Sequence, residues 1–351
     1  MHAPFVPLVR RLLDVSDVSL TFLDIGSRNG VLELEDLAPY VLAFGFEPNA
    51  DEYRKLVSGE TDAAQLGVRP PAFRKLTHLP YAVADVCGQR ELYITRGPGA
   101  VSLREPNIER LREIKWKGRR RAPNFGDEVF PVLRVDPVEV KTIEWVALEY
   151  GLTHIDYLKL DVESSEYEVL AGAGPVLDAT SLIKVEVCFI PFRKGQKLFS
   201  HVDLLLRDHG FDLLRYEIVP MQVGYKEREG ASTIGPSIGF PDRYGQPLMG
   251  DAVYVNRGIK ERSRLVALAA LLIEQGYLDE ALFLLRNKVP DADPQLLDLL
   301  QNYQGDRRTR LFEALIRGYR KVQKLAHPVR SLRRWLGWRR LASKGVVRSA
   351  P

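Results

Sequence analysis

Up to about residue 190 the chain is a series of short apolar runs, most of which stop at an acidic or glycine-bearing turn. Leu20-Thr21-Phe22-Leu23-Asp24-Ile25, Val41-Leu42-Ala43-Phe44-Gly45-Phe46 and Tyr157-Leu158-Lys159-Leu160 are strand-length and rich in apolar residues, which predicts strands buried on both faces. Similar runs lie at 81–84 and 182–188, and helical periodicity fills most of the intervals. Strand alternating with helix predicts an α/β fold with a doubly wound, mostly parallel sheet. After residue 188 the pattern changes to a helix near 200–208 and strands near 211–219 and 252–256. Beyond 259 no strand pattern remains, and 265–277 with 281–285 predicts two helices that pack against the sheet body. Residues 96–134, with Gly97-Pro98-Gly99 and Lys117-Gly118-Arg119-Arg120-Arg121, read as a solvated insertion or a lid, and the Gly/Pro-rich 230–250 stretch could frame the same mouth.

Open α/β sheets bind ligands outside the C-terminal ends of their strands. Two turns stand there, Asp24-Ile25-Gly26-Ser27-Arg28-Asn29-Gly30 and Phe46-Glu47-Pro48-Asn49. Gly26 permits a tight bend, and Gly30 permits close approach of backbone to a ligand. Asp24 and Glu47 accept hydrogen bonds without donating, which suits an ammonium group and a pair of ribose hydroxyls respectively. A G-x-G-x-x-G turn for a pyrophosphate is missing. S-adenosylmethionine is the ligand this pattern suits best.

The next turn carries the candidate chemistry. Lys159, Asp161 and Glu163 share one face if their strand persists through Glu163. Asp161 is the first choice for accepting a hydroxyl proton and Glu163 the second. Lys159 either keeps a carboxylate ionised or forms a structural pair with Glu163. His201 is a further candidate base, although an ordinary helix histidine is the simpler reading. Asp161 and Glu186 could offer oxygen ligands to magnesium, which nothing in the sequence requires; no metal site is assigned, and no His or Cys cluster suits zinc.

The stretch Ile155-Asp156-Tyr157-Leu158-Lys159-Leu160-Asp161-Val162-Glu163-Ser164-Ser165-Glu166-Tyr167-Glu168-Val169-Leu170-Ala171-Gly172, together with the two turns above, resembles the FkbM family of S-adenosylmethionine-dependent methyltransferases. Further matches are Ala82-Val83-Ala84-Asp85 with Gly88, Ser102-Leu103-Arg104-Glu105-Pro106-Asn107, Val185-Glu186-Val187, and Pro191-Phe192-Arg193-Lys194-Gly195-Gln196, so the likeness spans about 20–256 in order. Two departures stand out: Arg28-Asn29 occupies a turn often built of smaller residues, and Ser164 replaces the usual glycine.

The resemblance implies a Rossmann-like methyltransferase sheet ending in an antiparallel hairpin, within a domain at 1–258. A helical extension at 259–326 and a basic amphipathic tail at 327–351 would follow it. It places Asp85 near the adenine amine, and it implies a hydroxyl acceptor on a sugar, glycan or related metabolite, hence a place in polysaccharide biosynthesis. Two alternatives are an N- or nucleic-acid methyltransferase, which lacks an N/D-P-P-Y/F-type tetrad here, and a non-catalytic adaptor, for which the intact acidic turns have no use.

At 351 residues the chain exceeds what one core usually holds, so a domain with an appendage is expected. Cys87 and Cys188 offer no disulfide framework, the first residues lack an uninterrupted apolar leader, and no run is long enough to span a bilayer, so a cytoplasmic location is expected. Charge is uneven. Residues 306–351 hold fourteen basic and two acidic side chains, whereas the rest of the chain holds 36 and 44. Within the tail, Leu332, Trp335, Leu336 and Trp338 gather on one side of a helix beginning after Pro328, with arginines flanking it, which suits peripheral contact with an anionic membrane face. The acidic body makes nucleic acid an unfavourable partner.

Overall fold

Seven strands form the central sheet: β1 (Leu20–Ile25), β2 (Val41–Phe46), β3 (Lys75–Leu79), β4 (Ile155–Leu160), β5 (Thr180–Cys188), β6 (Phe211–Ile218) and β7 (Met249–Asn256). Across the sheet they run 3-2-1-4-5-7-6, all parallel except β7, which is antiparallel to both neighbours. This is the doubly wound, mostly parallel sheet that the sequence predicts, ending in the antiparallel hairpin that the family resemblance implies. Strand order reverses between β1 and β4, and the crevice at such a switch point is where these sheets bind ligands. The computed structural model describes residues 1, 3–116, 125–218, 222–225 and 246–303. The basic tail and most of the 230–250 stretch lie outside them, as do 117–124 of the expected insertion.

Both faces of the sheet are covered, which explains the near-continuous apolar runs. On one face Leu23, Ile25, Leu158, Leu160, Ile183 and Val185 pack with Val146, Val169 and Leu206 from the helices Ile143–Tyr150, Glu166–Ala171 and Phe199–Asp208. Helix Arg262–Glu274 packs on β4 and β5 and against the first helix, Val6–Val15. It is apolar all round and buried from Arg264 to Ile273, as a helix enclosed by its own protein must be. Arg264 fixes it to the sheet: its guanidinium donates to Ala179 O at 2.7 Å and to Asp156 Oδ1 at 3.3 Å. This body runs from Met1 to Leu297, and a second unit begins at Asp298.

Two elements differ from the sequence reading. The third sheet strand is Lys75–Leu79 rather than 81–84; Ala82–Val83 instead pairs with a long strand, Val132–Lys141. An edge strand with half-exposed Leu76, Thr77 and His78 gives little apolar signal. The second is an antiparallel ribbon of Gly88–Thr95 on Val132–Lys141. It is open enough that Leu133 and Val135 are exposed, so the in/out alternation that reveals a half-buried strand is lost.

Candidate active site

A cavity of about 430 Å³, within the usual range for small-molecule sites, opens at the β1/β4 switch point. Its floor is the Asp24 to Gly30 turn. Gly26 has φ +100°, and a Cβ there would lie 1.9 Å from the Asp161 carbonyl oxygen. Only glycine lets the end of β1 close on the end of β4, where Asp161 N donates to Ile25 O at 2.9 Å. Gly30, at φ +105°, ends the turn as its N–H bonds Ser27 O. Arg28 on the rim is held by Asp62 at 2.8 Å and Glu52 at 3.3 Å. Asn29 also lines the cavity, and its buried Oδ1 has no hydrogen-bond partner among the described residues, leaving an acceptor for a bound donor.

Asp24 is buried at the floor and accepts from Lys159 Nζ at 2.8 Å. Burial raises the Asp24 pKa, and Lys159 opposes the shift. Burial also works against the Lys159 charge, but Asp24, Asp161 and Glu33 outweigh it and its pKa is raised. Glu33, missed in the sequence, lines the same cavity and accepts from Tyr157 Oη at 2.7 Å and Lys184 Nζ at 3.0 Å. Lys159 therefore pairs with Asp24 and not with Glu163. Those two strands are parallel and in register at this pair, a relation that sequence spacing does not reveal.

Glu47 follows β2 and is buried at the cavity wall, where its Oε1 accepts from Asn49 N at 2.7 Å. Burial pushes its pKa up to about 7, against the pull of that N–H. Asn49 in turn caps helix Ala50–Ser58 through Asp51 N.

The turn after β4 is not extended. The strand ends at Leu160, and Glu163 and Ser164 adopt φ +58° and +88°, so the alternation predicted to carry Lys159, Asp161 and Glu163 on one face fails after Asp161. Glu163 still reaches the cavity. Ser164 takes the left-handed conformation that glycine would otherwise supply, and Glu166 Oε1 secures the bend by accepting from Val162 N at 3.1 Å and Ser164 N at 3.0 Å. Carboxylate oxygens of Asp161, Glu163 and Glu186 lie within 4.8 Å of one another. Burial, followed by repulsion from Glu163 and Asp161, raises the Glu186 pKa. For Glu163, burial raises the pKa, Arg193 lowers it and Asp161 adds to the rise.

Arg193, fully buried, supplies the positive charge beside this cluster, 3.4 Å from Glu163 Oε2. It also donates to Ala100 O at 2.7 Å and Arg104 O at 3.2 Å. The segment it grips carries Gly99, Val101, Ser102 and Leu103, which form the opposite cavity wall. Asn107 N to Phe192 O and Lys194 N to Glu105 O complete the clasp, and Arg104 binds Glu168. The two motifs quoted around Arg104 and Arg193 are thus one structure.

Two predicted residues fall elsewhere. Asp85 is absent from the cavity lining and pairs with Arg90; the wall there is Tyr81, Ala82 and Val83. His201 is also absent from the lining. Its Nδ1 accepts from Leu198 N at 3.2 Å, which makes it a helix-cap residue rather than a base.

The methyltransferase FkbM domain model matches residues 24–213, more than half of the chain. No curated protein matches. Similar solved structures include the magnesium protoporphyrin IX methyltransferase of Synechocystis with bound SAM, at 11% identity over 73% of this chain and 79% of that one, TM-score 0.29. The precorrin-6y C5,15-methyltransferase of Geobacter metallireducens aligns at 10% identity over 71% and 88%, TM-score 0.30. Residues 961–1257 of StiE, an O-MT, align at 11% identity over 77% and 80%, TM-score 0.30.

Proposed function

The chain belongs to the FkbM methyltransferase family, and we propose that it transfers the methyl group of S-adenosylmethionine to a hydroxyl of a sugar, glycan or related metabolite. The observation that carries the cofactor reading is the charge of the cavity: six lining carboxylates, Asp24, Glu33, Glu47, Glu52, Asp161 and Glu163, stand against two cations, Arg28 and Lys159. Such a lining favours a cationic ligand and disfavours a polyanion. The residues present fit the group. On this reading Asp24 takes its ammonium, Glu47 its ribose hydroxyls and Asn29 Oδ1 a further donor; all three line the cavity, around a turn whose glycines bring backbone to it.

Bound there, the cofactor supplies a methyl group activated by its sulfonium. Asp161, exposed to the cavity at the switch point, takes the proton of the acceptor hydroxyl. Glu163 and Glu186 crowd the same spot, and burial raises the pKa of both. Proton transfer to Asp161 calls for no magnesium at Asp161 and Glu186, and within this cluster Arg193 offsets the charge of Glu163 alone. The same anionic lining speaks against a nucleic-acid substrate, and its elaboration speaks against a non-catalytic adaptor.

Calorimetry should show binding of S-adenosylhomocysteine, and labelled methyl from S-adenosylmethionine should appear on hydroxyls of a glycan or sugar panel. Asp161→Asn should slow transfer by about 10²-fold with cofactor affinity unchanged. Absence of cofactor binding ends this reading, and label on nitrogen alone moves the acceptor class.

Among the described residues no helix is long and apolar enough to cross a membrane. Contact of residues 327–351 with an anionic membrane face is part of the proposal, on the arginine and tryptophan pattern given above. Co-sedimentation with anionic liposomes should be lost on truncation at Ala326; equal binding with and without the tail excludes it.

A further inference from the structure

We propose that the Asp24–Lys159 ion pair is a preformed receptor for the zwitterionic end of the cofactor, Asp24 taking the α-ammonium and Lys159 the α-carboxylate. The inference rests on the S-adenosylmethionine reading of the cavity and assigns Lys159 to binding rather than to keeping a catalytic carboxylate ionised.

Both residues line the cavity, on adjacent strands in register, with side chains 2% and 18% exposed. A buried ion pair stabilises a fold weakly at best, because desolvation offsets the attraction. Its place on a cavity floor therefore calls for a role in binding. Neither partner is saturated. Lys159 carries three N–H donors and bonds only Asp24 among its described contacts, through Oδ1. Two other carboxylates lie near Lys159: Asp161 makes no hydrogen bond to it among the described contacts, and Glu33 is already answered by Tyr157 and Lys184.

An α-amino acid group matches this arrangement. Ammonium beside Asp24 and carboxylate beside Lys159 give four charges alternating in sign, and both new contacts are charge-assisted in a desolvated site. A ligand that keeps the amine but lacks the carboxylate leaves Lys159 without its new bond while setting a second cation beside it. Lys159 is on this account the residue that distinguishes the intact cofactor from its decarboxylated form, by a penalty on the wrong ligand as well as a bond to the right one.

Calorimetry on the full chain tests this with S-adenosylhomocysteine, its decarboxylated analogue and 5′-methylthioadenosine. The wild type should prefer S-adenosylhomocysteine to the decarboxylated analogue by about 10- to 100-fold. Lys159→Met should lose that preference, while Lys159→Arg should keep part of it. A Lys159→Met protein with the full preference overturns the proposal, as does a wild type that binds the two equally. Should Lys159→Met fail to fold around an unpaired Asp24, Asp24→Asn with Lys159→Met removes both charges together. That double variant should bind S-adenosylhomocysteine no more tightly than 5′-methylthioadenosine, and a wild-type preference in it overturns the receptor. A wild type that binds none of the three refutes the cofactor reading itself, an outcome distinct from equal binding.

Discussion

The two walls of the cavity are built by different means. At Gly26 the wall is backbone: a left-handed turn lets β1 approach Asp161 so closely that a single methyl group would collide with its carbonyl. Opposite, the segment carrying Val101 and Ser102 is held by a guanidinium from a loop 93 residues away, bonded to a backbone carbonyl. A backbone wall is set by the local sequence and tolerates little change. The side-chain wall is held by Arg193 with the Asn107–Phe192, Lys194–Glu105 and Arg104–Glu168 bonds, none of which involves a strand of the central sheet.

The sharpest way to break this contrast is Arg193→Met. Removing a buried cation leaves Glu163 uncompensated and two carbonyls, Ala100 O and Arg104 O, without their donor. The expected loss is about 3–5 kcal/mol of stability. Amide exchange should rise first in 98–107 and in 191–197, while β1 and β4 stay protected. Equal loss of protection across the sheet shows that the clasp is not a separable wall.

The same contrast explains what the sequence reveals. Asp24, Gly26, Gly30 and Glu47 are legible because turn geometry is written into neighbouring residues, and apolar runs alternating with helices predict a mostly parallel sheet but not its strand order. Lys159 pairs across 135 residues with Asp24, and Arg193 reaches Glu163 across 30, so neither link has a local signal. Asp85 has its place from the family resemblance and His201 from its position near the sheet edge; Arg90 and the Leu198 N–H occupy them instead. The ribbon of 88–95 and 132–141 gives little signal because residues 132–135 are all exposed, which erases the alternation by which strands are read there.

On the backbone wall, Glu47→Gln sharpens the comparison by changing charge alone. Cofactor affinity should fall by about 10- to 100-fold at pH 8, the scale of a lost charge-assisted bond. Since Glu47 titrates near 7 in the folded protein, wild-type affinity should decline as pH falls through 7, and the variant should lose that component. Stability moves the other way. A folded pKa above the usual 4.5 means that the folded state holds the extra proton between those values, so its contribution to stability falls as pH rises from 4.5 to 7. The variant should therefore gain on the wild type across that window; a stability difference independent of pH removes the assignment.

The smallest effect is expected at Ser164, where the two kinds of wall meet. Its φ of +88° is a backbone requirement, yet the side chains of Glu166 and Arg193 hold the turn on either side. A left-handed conformation costs a non-glycine residue about 1–2 kcal/mol. Glycine removes that cost but makes the unfolded chain more flexible, which returns about 0.5–1 kcal/mol. Ser164→Gly should consequently stabilise the protein by up to about 1 kcal/mol, seen as a higher denaturant midpoint at unchanged slope. Cofactor affinity should stay as it is, because Gly26, Asp24 and Glu47 lie on the other wall. If the variant is instead destabilised, the Ser164 side chain contributes more than its strain costs, and the turn belongs with the side-chain wall rather than the backbone one.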